Sequence, residues 1–274
     1  MVSRATGAAE IKKGRDKSFL AVAEKLFTIL ESVALSNHGE LTLDHITKQN
    51  ALPKSTTYRL LNSLERLGYL VQNKDSGRYS LGSRFFELAN STLPYQRLIS
   101  IARPYLQSLM LTFGESVNLG VYDRGLVAHI FTIESPKPYR AAATIGNRAH
   151  LHCTSMGKAI AAYLPREELE KIFLEHGLPQ RTRNTLTTIT HVVEELEQIR
   201  QTGISHDNQE DVEGVECFGA SIFNADGRVI ASMSISGPSI RMGPQAEAMR
   251  NAVRETARRI SWALGFVPPA AQGD

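Results

Sequence analysis

Residues 51–81, ALPKSTTYRLLNSLERLGYLVQNKDSGRYSL, constrain the fold of this chain more than any other stretch. Leu60, Leu61, Leu64 and Leu67 recur three to four apart, so a helix over residues 53–67 buries them along one face. The other face is polar: Ser55, Arg59, Asn62 and Arg66 line it, with Lys54, Thr56 and Ser63 at its edges. Such hydroxyls, amides and guanidiniums bond phosphate oxygens or base edges in a groove. Pro53 starts the helix, where its missing N–H would be unpaired anyway, and Gly68 stops it.

Residues 69–72 and 78–81 are short strand-like runs joined by the turn formers Asn73, Lys74, Asp75, Ser76 and Gly77. Upstream, Leu43, Ile46 and Leu52 can pack a short helix over residues 43–49 against the leucine face. Helix, turn and second helix form a helix-turn-helix, whose second helix enters the major groove, and the hairpin is its wing. Taken alone, the second helix fits an ordinary helical hairpin with a solvated face equally well; the wing and the upstream helix favour DNA. The expected contacts are Lys54, Ser55, Thr56, Arg59, Asn62 and Ser63 on the helix, and Lys74 and Arg78 on the wing.

At 274 residues, two domains are expected. Net charge is only +3, but residues 1–91 hold thirteen Lys or Arg against nine Asp or Glu, and the remainder eighteen against nineteen. The positive excess therefore sits with the helix-turn-helix pattern. Cys153 and Cys217 stand far apart with no CxxC pair, which argues against a disulfide framework or zinc knuckle and for a reducing cytoplasm. The N-terminal stretch lacks an apolar signal region, and no apolar run approaches a membrane span.

Residues 1–17 are small, polar and basic and are expected to form a flexible tail. An amphipathic helix over residues 19–34, carrying Leu20, Ala23, Leu26, Phe27 and Leu30, is expected to cover the DNA unit. The chain then divides into a DNA-binding domain over 18–82, a linker helix over 83–95, a second domain over 96–268 and a tail over 269–274. Pro94 ends the linker helix, and the next helix is expected from Pro104 to about Phe113. Strands follow over 116–122 and 126–134, helices over 155–163, 165–175 and 189–202, strands over 217–223 and 229–236, and a long helix over 244–264. Strands and helices mix without strict alternation, which favours an α+β sheet over a Rossmann fold.

On residues 229–236, Ser232, Ser234 and Ser236 alternate with Val229, Ala231, Met233 and Ile235. A row of hydroxyls serves as a solvated surface or as the lining of a polar pocket, and spacing alone favours solvent. Asp207 lies in an acidic, loop-like stretch where a carboxylate is ordinarily solvated, its alternative role being to accept a ligand hydroxyl. Cys217 fits a small buried apolar residue better than a reactive thiol. The run HLHCTSMGKA, residues 150–159, sets polar groups and a glycine at a helix start, where free N–H groups can hold an anion. Lys158 lacks the GxxxxGK[ST] pattern of a nucleotide P-loop.

Four segments in order, LPKSTTYRLLNSLERLGYL, HLHCTSMGKA, GVECFGASIF and SMSISGP, make residues 18–266 resemble an IclR-type transcriptional regulator. The resemblance implies an all-α winged helix-turn-helix N-terminal domain, a linker helix and an α+β, GAF-like C-terminal effector domain. It also implies homodimers or dimers of dimers, an inverted-repeat double-stranded DNA operator, and a small organic acid as effector. Carried over residue by residue, the acid pocket falls on Ser155, Met156, Asp207, Cys217, Ser234 and Ser236, which turns the serine row from solvent toward a pocket. This chain departs from many relatives by its bulky Met156 at a small-residue position and by Ser221 at a proline position. No cofactor, metal, membrane or enzymatic activity is expected. The alternatives are a metal-responsive regulator using His150, His152, Cys153 and Cys217, and a thiol-dependent hydrolase or transferase pairing Cys153 or Cys217 with His150, His152 or His206.

Overall fold

The structure, a computed structural model, describes residues 20–36, 38–90 and 93–267. The expected tails over 1–17 and 269–274 lie outside the described residues. The chain separates into two compact units, Met1–Leu93 and Pro94–Asp274.

The first unit contains α1 (Ala21–Ala34), β1 (Glu40–Leu41), α2 (Leu43–Gln49), α3 (Lys54–Arg66), β2 (Leu70–Gln72), β3 (Tyr79–Leu81) and α4 (Arg84–Asn90). It is helical, with a three-stranded antiparallel sheet of order β1-β3-β2. The expected helix-turn-helix and wing are present; β1 was not anticipated. The core joins Ile29, Leu30 and Val33 of α1, Ile46 of α2, Leu60, Leu61 and Leu64 of α3, and Leu70 and Tyr79 of the wing. Two expected core residues fall elsewhere. Leu67 caps the end of α3 and is 63% exposed, and its place on the buried stripe is taken by Thr57, whose hydroxyl donates to the Pro53 carbonyl at 3.2 Å. On α1, Leu20 and Phe27 are exposed while Ile29 and Val33 are buried, so the packed face is rotated from the expected one. An apolar residue on each side of the helix left its periodicity ambiguous.

The second unit contains α5 (Leu93–Phe113), β4 (Ser116–Asp123), β5 (Leu126–Ile133), β6 (Arg148–His150), α6 (Ser155–Ala161), α7 (Arg166–His176), α8 (Ile189–Thr202), β7 (Ser205–Asn208), β8 (Val215–Phe223), β9 (Val229–Pro238), α9 (Ser239–Met242) and α10 (Ala246–Ala263). Its six strands form one antiparallel sheet of order β6-β5-β4-β9-β8-β7. The arrangement is the expected α+β, GAF-like one. Leu98, Ala102, Leu106 and Leu109 of α5 and Met249, Val253, Ala257 and Ile260 of α10 cover one sheet face, against Leu119, Phe218, Met233 and Ile235. Met156 and Ile160 of α6, Phe173 of α7 and Leu196 of α8 build a second apolar cluster with Val127 of β5.

Local chemistry explains the boundaries. The α8 helix begins where the Thr188 hydroxyl accepts from the His191 N–H and ends at Gly203, whose φ of +71° suits a residue without Cβ. The expected helix start at Pro104 is wrong: α5 begins at Leu93 and carries Pro104 inside it. Proline removes one backbone bond there, but Leu98, Ala102, Leu106 and Leu109 keep the stripe packed on the sheet through that point. Among the described residues no helix is long and apolar enough to cross a membrane.

Candidate DNA-reading surface and effector site

On α3 the polar residues stand outward as their spacing dictates. Lys54, Ser55, Arg59 and Ser63 are exposed, and Thr56 and Asn62 are half-buried. Their intramolecular ties are few. The Ser63 hydroxyl donates to the Arg59 carbonyl at 2.9 Å, and Lys54 pairs with Asp44 of α2 at 2.8 Å with both side chains largely in water. That pairing lowers the Asp44 pKa through the lysine hydrogen bond and charge. Tyr58, 52% exposed beside this row, is a further candidate contact, which a pattern of charged and short polar residues does not mark.

The wing is set by its turn. Asn73 Oδ1 accepts the N–H groups of Asp75 and Ser76 at 2.9 and 3.1 Å, and Gly77 adopts φ +67°. Lys74 is exposed at the tip; Arg78 is half-buried and reaches Glu40 of β1 at 3.7 Å. Of the eight expected DNA contacts, Lys54, Ser55, Arg59, Ser63 and Lys74 are exposed and Thr56, Asn62 and Arg78 are half-buried, with Lys54 and Arg78 also paired to acidic residues of the same unit.

The second site is built across the sheet. Strand register sets Asp207 beside Cys217, Cys217 beside Ser236, and Ser236 beside Ser116. The next row runs Ser205, Gly219, Ser234, Asn118 and Thr132. Alternation turns both rows to one face, opposite Met233 and Ile235. The α6 helix lies on this face. The Ser205 hydroxyl donates to the Ser155 carbonyl at 2.7 Å, and Ser221 donates to Ala159 at 2.7 Å. Gly219 permits that approach, because a Cβ there would lie 2.9 Å from the Ser155 carbonyl carbon and oxygen.

Solvent exposure of the serine row is thereby overturned: Ser232, Ser234 and Ser236 are buried, as are Ser155, Met156 and Asp207. Asp207 sits on a strand and not on a solvated loop, as its acidic context had suggested. The structure thus brings all six expected effector residues to the sheet face and the α6 turn above it. Asn118 was missed. Its Oδ1 accepts from Thr132 at 3.1 Å, and its Nδ2 donates to Ser236 at 2.9 Å and to Ser234 at 3.4 Å. Both serines accept, which leaves each hydroxyl hydrogen free to donate onward.

The electrostatics of this layer favour neutral acids. Burial drives the Asp207 carboxyl up to about 7, against the Glu210 N–H that it accepts at 2.7 Å and the nearby Lys158 charge. Cys217 keeps some accessible surface, but the surrounding protein and the Asp207 charge raise its thiol well above the ordinary value. Lys158 is fully buried and donates to Glu195 and Glu210, each at 2.6 Å, and to the His206 carbonyl. Burial opposes its charge, and the two glutamates outweigh that, holding its pKa above the usual lysine range. Lys158 ties α6 to α8 and to the chain after β7, which is a structural role.

Among the described residues no hydrogen bond joins Cys153 or Cys217 to a histidine. Cys153 is buried, its thiol pushed up by burial, and its nearest polar partner is the Asp211 carboxylate at 3.9 Å. His206 bonds Glu216 at 2.7 Å and stacks on Phe218, on the sheet face opposite Cys217. His152, pushed down to about 4 by burial, has its Nε2 3.2 Å from the Pro179 carbonyl. Among the described residues no three His, Cys, Asp or Glu side chains come together to hold a metal ion.

A winged helix-turn-helix joined in one chain to an α+β sensor-like unit defines a class of DNA-binding regulators. The sequence matches the IclR helix-turn-helix domain over residues 22–74 and the bacterial transcriptional regulator IclR C-terminal domain over residues 90–262. This chain belongs to the IclR family of transcriptional regulators. It is 33% identical over 262 residues to the HTH-type transcriptional repressor AllR of Escherichia coli K12, covering 93% of this chain and 97% of that protein. The AllR of Klebsiella pneumoniae is also 33% identical, over 248 residues, covering 90% and 91%. Among solved structures, the Thermotoga maritima IclR superposes with TM-score 0.76 at 29% identity, covering 89% of this chain and 98% of that one. An IclR homolog from Microbacterium hydrocarbonoxydans, solved with 4-hydroxybenzoate, shares the fold with TM-score 0.77 at 23% identity, covering 89% and 99%.

Proposed function

We propose that this DNA-binding transcriptional regulator is a repressor whose operator affinity is set by a small organic acid held between α6 and the sheet. The observation that carries the reading is the buried donor chain, in which Thr132 bonds Asn118 and Asn118 bonds Ser234 and Ser236. Its spare donors are hydroxyl hydrogens, which suit a carboxylate. Asp207, neutral up to about pH 7, adds a donor where an ionised carboxylate would repel an acid. Ser155, Met156 and Cys217 complete the wall. Repression is the role named for the AllR relatives, and the acid class agrees with the 4-hydroxybenzoate bound by the Microbacterium homolog.

The DNA contacts in this reading are Lys54, Ser55, Thr56, Arg59, Asn62 and Ser63 in the major groove, and Lys74 and Arg78 from the wing. The protein acts in the cytoplasm as a homodimer or a dimer of dimers. Residues 18–82 read DNA, 83–95 link, and 96–268 sense. Each winged unit then reads one half of an inverted repeat, with half-sites about one helical turn or a multiple apart. The acid acts through unequal affinity for DNA-competent and DNA-incompetent arrangements.

The test is a thermal-stability screen of the whole protein against short aliphatic, aromatic and sugar acids, followed by operator binding with any stabilising acid. At least one acid should raise the Tm, through binding to the native state, and change operator affinity. The stabilisation should vanish in the double variant Ser234→Ala, Ser236→Ala. A stabilising acid indifferent to that variant overturns the site.

A further inference from the structure

Two polar atoms on the α6 side of the sheet bond to nothing. Ser232 is fully buried with its Oγ unpartnered, and the buried Nδ1 of His129 is unpartnered as well. They belong to one row: Ser232 of β9 and His129 of β5 each pair in register with Gly120 of β4, one from either side. Gly120 puts no side chain between them. That space is held by Val127, fixed on β5, and by the movable Met156, since a Cβ on Gly120 would lie 2.7 Å from the Val127 Cγ2 and 3.2 Å from the Met156 sulfur. A valine methyl offers no hydrogen bond and a thioether is only a weak acceptor on a flexible, unbranched chain, so the space is filled while both polar atoms stay unpartnered. Leaving a buried polar group unpaired costs about 1–3 kcal/mol, so the arrangement favours an incoming partner.

Ser232 follows the anion-binding row at a fixed spacing. It stands two residues before Ser234 on β9, or about 7 Å along the strand. We propose that His129 and Ser232 form a second polar subsite, gated by the Met156 side chain, which takes the hydroxyl or carbonyl of a carboxylic acid whose carboxylate sits at Ser234 and Ser236. This rests on the effector reading above and narrows it to an acid with a second polar group about 7 Å from the first. Burial lowers the His129 pKa against the opposing charge of Asp211, so the imidazole is neutral at pH 7. A neutral imidazole and a serine hydroxyl each give and accept one hydrogen bond, which matches a ligand hydroxyl and disfavours a second carboxylate. Met156 is then a specificity-determining residue, because its displacement admits the longer ligand.

Calorimetric titration of the full chain with valerate, δ-hydroxyvalerate and glutarate tests this. The hydroxy acid should bind about tenfold tighter than valerate, the gain of one or two buried hydrogen bonds, and glutarate should show no gain. Ser232→Ala and His129→Phe should each remove that gain and leave valerate affinity unchanged. Met156→Ala should tighten the hydroxy acid further. Valerate binding without a hydroxyl preference, or a preference that survives Ser232→Ala and His129→Phe, overturns the subsite and leaves the carboxylate site standing. Binding of none of the three acids overturns the subsite, while the carboxylate site stands or falls by the wider acid screen and the Ser234→Ala, Ser236→Ala variant. Should His129→Phe fold poorly, Ser232→Ala decides alone, since removing an unpaired buried hydroxyl leaves the Tm unchanged or higher.

Discussion

The polar residues of α3 and those under α6 are chemically alike, hydroxyls and amides in both, yet they are held in opposite ways. On α3 they stand in solvent with few intramolecular bonds, so their bonding capacity is left for phosphates and bases. Under α6 they are buried and interlocked, and capacity is left over at particular atoms, among them the hydroxyl hydrogens of Ser234 and Ser236, Ser232 Oγ and His129 Nδ1. A long charged duplex is gripped by an open surface whose contacts add independently. A small acid is recognised by a closed layer where each unpaired atom carries a cost. Substitutions should therefore change binding with little change in stability on α3, and change stability as well wherever they break a bond under α6.

The largest effect should come from Lys158→Met. Removing one member of a buried, hydrogen-bonded ion pair leaves Glu210 and Glu195 uncompensated, at an expected cost of about 3–5 kcal/mol in unfolding by urea. A loss below about 1 kcal/mol would mean that the cluster is solvated, and the contrast with α3 would weaken. Arg59→Ala comes next. It should weaken operator binding by about 1–3 kcal/mol, if its guanidinium reads a base, while unfolding shifts by no more than about 0.5 kcal/mol. Unchanged operator affinity would remove α3 as the reading helix; a large stability loss would place Arg59 in the fold and not on the open surface.

The same contrast governs what could be read from sequence. Leu60, Leu61 and Leu64 with Ser55, Arg59 and Asn62 express one helical period within a dozen residues, so the DNA unit was legible locally. The rotated face of α1 was not, because Leu20, Val22 and Phe27 are as apolar as the buried Ile29 and Val33. The strand Glu40–Leu41 is too short to carry a period. The effector layer joins residues near 118, 155, 207, 217 and 234, which only strand register brings together. Family resemblance supplied six of its members; the alternation of residues 229–236 by itself pointed the serines toward water. Asp207 misled through its acidic neighbours, since local charge says nothing of a helix packed over the strand. Asn118 left a usable trace: Ser116, Asn118 and Gly120 alternate with Val117, Leu119 and Val121, the pattern of the serine strand on its neighbour.

Asp207 sharpens the comparison through pH. Its folded pKa of about 7 lies above the unfolded value of 3.8, so its stability contribution is complete below 3.8 and is lost as pH rises through about 7. Acid binding should follow the same proton. Affinity should be flat below pH 7 and fall by up to about tenfold per pH unit above it, as Asp207 ionises against the incoming carboxylate. Asp207→Asn keeps a donor without a charge, and the profile should flatten. Operator binding by the acid-free protein should show no such break at pH 7. A break that survives in the asparagine variant would assign the proton to another group.

The smallest effect probes the turn that presents α3. Ala51 adopts φ +50° between α2 and α3, donates its N–H to the Lys48 carbonyl, and is followed by Leu52, whose N–H reaches Thr47 at 3.3 Å. A left-handed alanine costs about 1–2 kcal/mol. Glycine removes that strain but returns about 0.4–1 kcal/mol of chain entropy to the unfolded state. Ala51→Gly should thus stabilise the DNA unit by about 0.5 kcal/mol, seen as slower amide hydrogen exchange across α2 and α3. Operator affinity should stay within about twofold, because α3 keeps its exposed row. Faster exchange would show that entropy outweighs strain at this turn. A large gain in operator affinity would instead mean that the turn, and not the open row of side chains, limits how α3 meets DNA.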